Sequence, residues 1–327
     1  MRPSRDFLFR HFAVEPVLGF ARARLRGCVV SLMYHEVLPD RDPREAWTVV
    51  RESRFHAQMH YLKQHFDVLC IDEALERMRH GGGSRPMALV TFDDGYQGNR
   101  GIAWPIVEEL KLPITIFVAT SSVQTQTPYW YDRVIVELLG NAPMKVDLRA
   151  RGLGAYPIPG WRRGESRWNR IQRVLADLKR LSPEDRAHAV EDLLQQTHGS
   201  GTQPLELLSI DDIRSMAKSK YVMFGAHSHD HENLTQLEPV DVRKSVLQSK
   251  SLLEDWTGGT VRHFAYPFGA FNPEVARIVQ ECGFVSSQAT TPGFWRRGGP
   301  VFAIPRVGIG RFESFRWFKA RISGLNF

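Results

Sequence analysis

The chain has 327 residues, 43% of them hydrophobic and 24% charged, which excludes a disordered polypeptide and suits one large α/β domain or two ordinary ones. Lys and Arg outnumber Asp and Glu by 43 to 36, a formal net charge of +7. No zinc-finger spacing, RNA-binding signature or Lys-rich block accompanies that excess, so no nucleic-acid partner is expected. In chain order, residues 1–27 come first, with six arginines (Arg2, Arg5, Arg10, Arg22, Arg24, Arg26) against Asp6 and Glu15. Glu15 and Pro16 interrupt the apolar stretch that a secretory signal keeps unbroken. No apolar run reaches the roughly 20 residues of a membrane span. Phe7, Leu8, Phe9, Phe12, Leu18 and Phe20 are interleaved with the arginines. Two readings of this segment stand: peripheral contact with an anionic membrane, or a helix packed on the domain. Cys28, Cys70 and Cys282 are odd in number and widely spaced, so disulfides are not expected. The chain reads as cytoplasmic, with the inner membrane surface as its place of contact if the N-terminus docks.

Short apolar runs then alternate with helical patterns. Strands are predicted over 29–34, 88–92, 114–119, 222–224, 263–266, 284–287 and 302–304. Phe55, Met59, Leu62 and Phe66 recur at helical spacing, Ser209 heads a helix to about 218, and 239–256 is another. Asn272 and Pro273 open a further helix as cap and first residue, and Gly283 closes it. Strands alternating with helices imply parallel βαβ units, and about seven of them predict a distorted (β/α) barrel. No Gly-x-Gly-x-x-Gly follows the first strand, so a dinucleotide fold gains no support. Residues from about 127 to 204 break the rhythm, with Tyr129-Trp130-Tyr131, several Gly and Pro, then a charged helical stretch over 168–197. They read as a helical insertion within the barrel and not as an independent domain, either a lid or substrate platform or a peripheral decoration. The expected organisation is a basic segment 1–27, a barrel over 28–310, and a tail 311–327.

Two motifs carry chemistry. Thr91-Phe92-Asp93-Asp94-Gly95-Tyr96 follows the second strand. Adjacent carboxylates repel unless a cation sits between them, although Asp-Asp-Gly is also a common turn. Gly225-Ala226-His227-Ser228-His229-Asp230-His231 follows a later strand. His227 and His231, at i and i+4, are expected on one face of a helical turn able to grip one metal, with His229 on another face. A solvated histidine-rich loop is the plain alternative. Both motifs follow strand ends, which meet on one face of a parallel barrel. One Asp and two His leave metal positions open for water and substrate, and Asp93 stands beside the ligand to take a proton.

The ordered pair of motifs resembles the polysaccharide deacetylases of carbohydrate esterase family four, the nodulation-factor deacetylase-like group, over about 29–309. The resemblance implies metal-dependent removal of N-acetyl or O-acetyl groups from a glycan or lipid-linked sugar, in the assembly of a surface polysaccharide. It implies Asp94, His227 and His231 as ligands of a divalent metal, with zinc the default. It also implies Asp93 as base and the Tyr96 backbone N–H at the oxyanion. Phe264-Ala265-Tyr266-Pro267-Phe268-Gly269 resembles the third motif, a wall of the groove, and marks Tyr266, Pro267 and Phe268 as substrate contacts. Ala265 stands where many members carry an arginine that orients the base. Arg306, after the last predicted strand, is the replacement expected, or else a structural ion pair. No histidine follows His263, so the general acid is sought elsewhere. Met33-Tyr34-His35-Glu36-Val37 resembles the opening of the subgroup with biofilm poly-N-acetylglucosamine deacetylases, and His35 is the candidate acid, or else a core histidine. Trp130 and the other aromatics of 129–131, Trp161, Phe294 and Trp295 are candidates for stacking on sugar, or for ordinary packing. Rival functions are a glycan-binding pseudoenzyme, an amidase acting on a non-sugar amide, and a glycosidase. The last needs its acids on opposite sides of a bond, which neighbouring Asp93 and Asp94 do not suit.

Overall fold

The computed structural model describes residues 15–81, 83–140, 144–160, 164–197 and 202–325, the backbone alone for 164–166. The chain divides into two compact units. The larger comprises 1–42, 47–125 and 207–327, and the smaller 43–46 and 126–206.

Among the described residues the larger unit is built on seven principal parallel strands: β1 Cys28–Tyr34, β2 Met87–Phe92, β3 Ile114–Val118, β4 Val222–Ala226, β5 His263–Ala265, β6 Ser286–Gln288 and β7 Arg306–Gly308, with the two-residue Asp67–Val68 added parallel to β2. In β1, β2 and β3 every residue is buried, as expected of parallel strands covered on both faces. β1 pairs along its length with β2, from Val29 opposite Met87 to Tyr34 opposite Phe92. β3 joins β2 and β4, and β5 joins β4 and β6. β7 lies parallel to β1 on the other side, Ser31 opposite Arg306. The chain before β7 bonds to the region of β6, with Ile304 N donating to Ser287 O at 3.0 Å and Arg306 N to Thr291 O at 3.0 Å. The sheet thus curls round to a barrel. Its distortion shows in the single register pair joining β4 to β5, Phe264 opposite Ala226. Trp295–Arg296 also adds antiparallel to β1.

Helix Glu52–His65 buries Phe55, Met59 and Leu62, whose rings and branches meet Tyr34 and Phe92 in the main core. Ser209 and Asp212 form a reciprocal capping box on Ile210–Met216. Asn272 caps Pro273–Glu281, accepting from Val275 N, and Gly283 follows at φ +84°.

Four expectations change. The last strand is Arg306–Gly308 and not 302–304, because Pro305 has no N–H for a ladder and Ile304 makes only an isolated bridge to Gln288. Arg306 therefore opens that strand. The tail contains helix Phe315–Ile322, capped by Ser314, with Phe318 and Ile322 fully buried. The charged stretch 168–197 is two helices, Gly164–Leu178 and Pro183–Gln195, parted where Ser182 caps and Pro183 cannot continue a preceding turn. The insertion is a compact unit with its own antiparallel hairpin, Met144–Asp147 with Ala155–Ile158, and its own buried Val134, Ile135, Leu138, Ile171 and Leu193.

Of the N-terminal segment, residues 1–14 lie outside the described residues. Glu15–Ala23 is a helix with Leu18 buried and Phe20 exposed. Arg22 donates to Tyr61, and Lys319 reaches Glu15 at 3.3 Å. Among the described residues no helix is long and apolar enough to cross a membrane.

Glu313, just before the last helix, is buried beside Arg321 at 2.8 Å. Burial pushes its carboxyl up to about 7 from an ordinary 4.5, against the pull of Arg321 and Arg54. A raised acid stabilises the fold most below its unfolded pKa, and that contribution is lost as pH rises through the folded value. Glu313→Gln should remove the dependence. Between pH 5 and 8 the denaturation free energy of wild type should fall relative to the variant by up to about 3 kcal/mol. Parallel pH dependence in the two proteins would show that Glu313 ionises normally.

Candidate metal centre and active site

The ends of β2 and β4 deliver the two motifs to one place. Asp93 prolongs the barrel ladder, its N–H donating to Tyr34 O at 3.0 Å. The chain then turns through two left-handed residues, Asp94 at φ 76° and Gly95 at φ 77°. Asp tolerates that region at a cost of order 1–2 kcal/mol. Such strain collects at functional sites.

The turn gives the neighbouring carboxylates different partners. Asp94 Oδ1 lies 3.4 Å from His227 Nε2 and 3.2 Å from His231 Nε2. Asp93 takes both terminal nitrogens of Arg306, each at 2.7 Å. Arg306 also donates Nε–H to Ala289 O at 2.9 Å and approaches Thr91 Oγ1 at 3.3 Å. Its side chain is completely buried, so a planar guanidinium with few alternative orientations holds the carboxylate at two points. Nothing beyond long-range folding brings residues 93 and 306 together. Ala265, where many members of the resembled family carry arginine, is the sequence feature that points to Arg306.

The histidines do not share a helical turn. The segment after β4 is irregular, with Ser228 at φ 63° and His231 at φ 54°. Ser228 Oγ accepts from His231 N at 3.1 Å. Two left-handed residues, unpredictable from spacing alone, converge the rings to 4.9 Å between centroids. His229 faces away and meets Thr120 Oγ1 at 2.8 Å and Gln248 Nε2 at 2.9 Å, as its exclusion from the ligand set requires.

Asp94, His227 and His231 are buried, and their ligating atoms lie within 4.8 Å of one another. Ligands about 2.1 Å from a tetrahedral ion stand about 3.4 Å apart, close to both measured Asp–His separations. His227 Nδ1 lies 2.7 Å from Ala265 O. A carbonyl only accepts, so Nδ1 carries a proton and Nε2 is the nitrogen turned to Asp94, where it would bind a metal once deprotonated. The three residues are therefore able to hold a metal ion. Burial alone would raise the Asp94 carboxyl, but the two imidazoles hold it well below the ordinary range. Burial likewise opposes ionisation of Asp93, and Arg306 outweighs it. Both carboxylates are ionised at neutral pH.

His35 is buried at the end of β1, with Nδ1 lacking a hydrogen-bond partner among the described residues. Burial lowers its pKa more than nearby Asp94 and Asp93 raise it, so the imidazole rests neutral. Asn99, missed in the sequence, is fully buried and donates from Nδ2 to His35 O at 2.7 Å. It begins a π-helical turn, Asn99–Ala103, a feature enriched at functional sites.

Tyr96 is buried and bridges to Leu207. Tyr266 is also fully buried, its hydroxyl donating to Phe302 O at 3.0 Å and accepting from Ser287 Oγ at 2.7 Å. That leaves no surface for a substrate, so Tyr266 braces the wall from behind, contrary to the expected contact. Pro267 is buried, and Phe268, partly exposed at φ 58°, turns its ring edge to His231 with centroids 4.7 Å apart. Trp130 belongs to the smaller unit, where Arg186 lies 5.3 Å from its ring centroid. Trp161 lies outside the described residues.

The sequence matches the profile of polysaccharide deacetylases over residues 80–286, and the chain belongs to that family. It is 25% identical over 118 residues to YxkH of Bacillus subtilis (strain 168), a polysaccharide deacetylase by name. The match spans 36% of this chain and only 42% of that relative. Among solved structures, the Streptococcus pyogenes deacetylase PplD in complex with acetate superposes with a TM-score of 0.61 at 15% identity, covering 90% of this chain and 98% of that one. IcaB from Ammonifex degensii gives 0.58 at 18% identity over 91% and 97%. BC0361, a polysaccharide deacetylase from Bacillus cereus, gives 0.58 at 19% over 90% and 69%. These likenesses bear on the fold.

Proposed function

We propose that the protein is a metal-dependent hydrolase that removes acetyl groups, N-acetyl above all, from a glycan or lipid-linked sugar used in a surface polysaccharide. The observation that carries this is the division of labour between adjacent carboxylates: Asp94 on two histidines, Asp93 on a buried arginine. Asp94, His227 and His231 would hold the ion, zinc by preference for this donor set. When bound, it supplies Lewis acidity and a more acidic water.

The residues of the chain do the rest. Arg306 fixes Asp93 and keeps it ionised, ready to take a proton from the attacking water. The Tyr96 backbone N–H is offered to the oxyanion. His35 passes a proton to the departing nitrogen. Burial holds its imidazole toward the neutral form, and the proton that Asp93 takes from the attacking water balances the one delivered to the nitrogen. Phe268 and Pro267 are the proposed substrate contacts of the larger unit, and Trp130 is a separate candidate within the smaller one. The free state of Cys28, Cys70 and Cys282 supports action in a reducing compartment such as the cytoplasm. Peripheral contact with an anionic membrane through the basic segment 1–27 is a separate proposal, tested by sedimentation with anionic vesicles at low and high salt.

Acetate release by metal-loaded protein, screened over acetylated glycans and lipid-linked sugar precursors, tests the function. Release from none of them contradicts it. On an active substrate, His35→Ala should lower kcat by about 10²-fold or more while metal content is kept. An unchanged kcat would remove His35 from the reaction.

A further inference from the structure

Trp47 is an indole left 43% exposed on a backbone that is firmly held. Residues Glu36–Leu38 pair parallel with Val49–Arg51, Glu36 opposite Val49. This register runs Thr48 opposite His35 and Trp47 opposite Tyr34, and the Trp47 ring reaches His35, with ring centroids 5.7 Å apart. Trp47 O accepts from Arg311 N at 3.1 Å. Gly310 presses on the same carbonyl, where an added Cβ would stand 2.4 Å away. The next residue, Thr48, is buried. The strap from β7 therefore clamps the backbone of residue 47 at the ends of β1 and β7. His35 on the inner side of the indole feels the charges of Asp94, Asp93 and Arg306.

A large aromatic group kept rigid and wet beside a reactive cluster calls for a ligand with an apolar face. The C–H face of a pyranose is such a surface, and a pre-ordered ring sacrifices little entropy on stacking. The alternative ligand faces among small molecules, phosphate or carboxylate, would find no cation in the indole. We infer that Trp47 forms a sugar-stacking subsite on the leaving-nitrogen side of the centre, taking the pyranose ring of an N-acetylhexosamine unit. The inference rests on the deacetylase reading for the identity of the sugar.

Binding without turnover separates this inference from that reading. Calorimetry with an N-acetylglucosamine pentamer compares metal-loaded Asp93→Asn protein with the same protein carrying Trp47→Ala or Trp47→Phe. Trp47→Ala should weaken binding about tenfold or more, and Trp47→Phe should recover most of it, since the aromatic face remains. Equal affinity in all three, or no binding by the Asp93→Asn protein, overturns the inference. Weakening by Trp47→Phe as large as by Trp47→Ala also overturns it, because that pattern reports a packing defect. In wild type, a pentamer held through Trp47 yet releasing no acetate would leave the subsite standing, and the deacetylase reading would fall only if the wider screen also releases none.

Discussion

Asp94→Ala and His227→Ala should each abolish metal retention and reduce acetate release to background, by about 10³-fold or more in kcat/KM. Each removes one donor of three from a buried set, and the two that remain cannot hold the ion against competition from water and chelators. Asp94→Ala has a second consequence. The carboxylate is what the two imidazoles share, at 3.2 and 3.4 Å. Without it, His231 loses the leading charge, and His227 one of two carboxylates beside Asp93, that oppose the effect of burial on their protonation. Metal content per chain, measured by mass spectrometry after gel filtration, checks both variants. One ion per chain with normal turnover in either would exclude that residue from the ligand set.

Arg306→Ala should be nearly as severe, and for a different reason. It leaves Asp93 buried without the guanidinium that pairs with it, and breaking a buried pair from one side costs about 3–5 kcal/mol. Arg306 leads the influences that hold the Asp93 carboxyl down against burial. Its loss should raise that pKa. A base works only when deprotonated, so the acid limb of the pH–rate profile should move to higher pH. Arg306→Lys should restore part of the stability but not the two-point grip. Asp93→Asn, by contrast, keeps the ion and loses most turnover. A normal melting temperature and an unshifted acid limb for Arg306→Ala would show that the guanidinium neither supports nor orients Asp93.

The barrel was legible because its strands are short, apolar and bounded by helix caps that act locally. Ser209, Asn272 and Gly283 each do their work within a few residues. The grouping of Asp94 with His227 and His231 was legible because strand ends of a parallel barrel share a face. The conformation that joins them was not. Ser228 and His231 adopt left-handed backbone with ordinary side chains, which nothing in their spacing announces. The start of β7 and the helix Phe315–Ile322 depend on packing against β1 and Tyr61, residues some hundreds of positions earlier. The position of Trp47 is not legible in the sequence for a similar reason. Its place beside His35 comes from the pairing of two three-residue strands and from a glycine at 310, none of which forms a motif.

The most direct test of the central claim is a metal titration read by acetate release. Protein stripped by chelation should release no acetate from an acetylated glycan that the loaded enzyme cleaves. Zinc or a similar divalent ion should restore the rate in proportion to bound metal, saturating near one ion per chain. Full activity in the stripped protein, or metal binding at this stoichiometry with no acetate released from any acetylated sugar, would contradict the account.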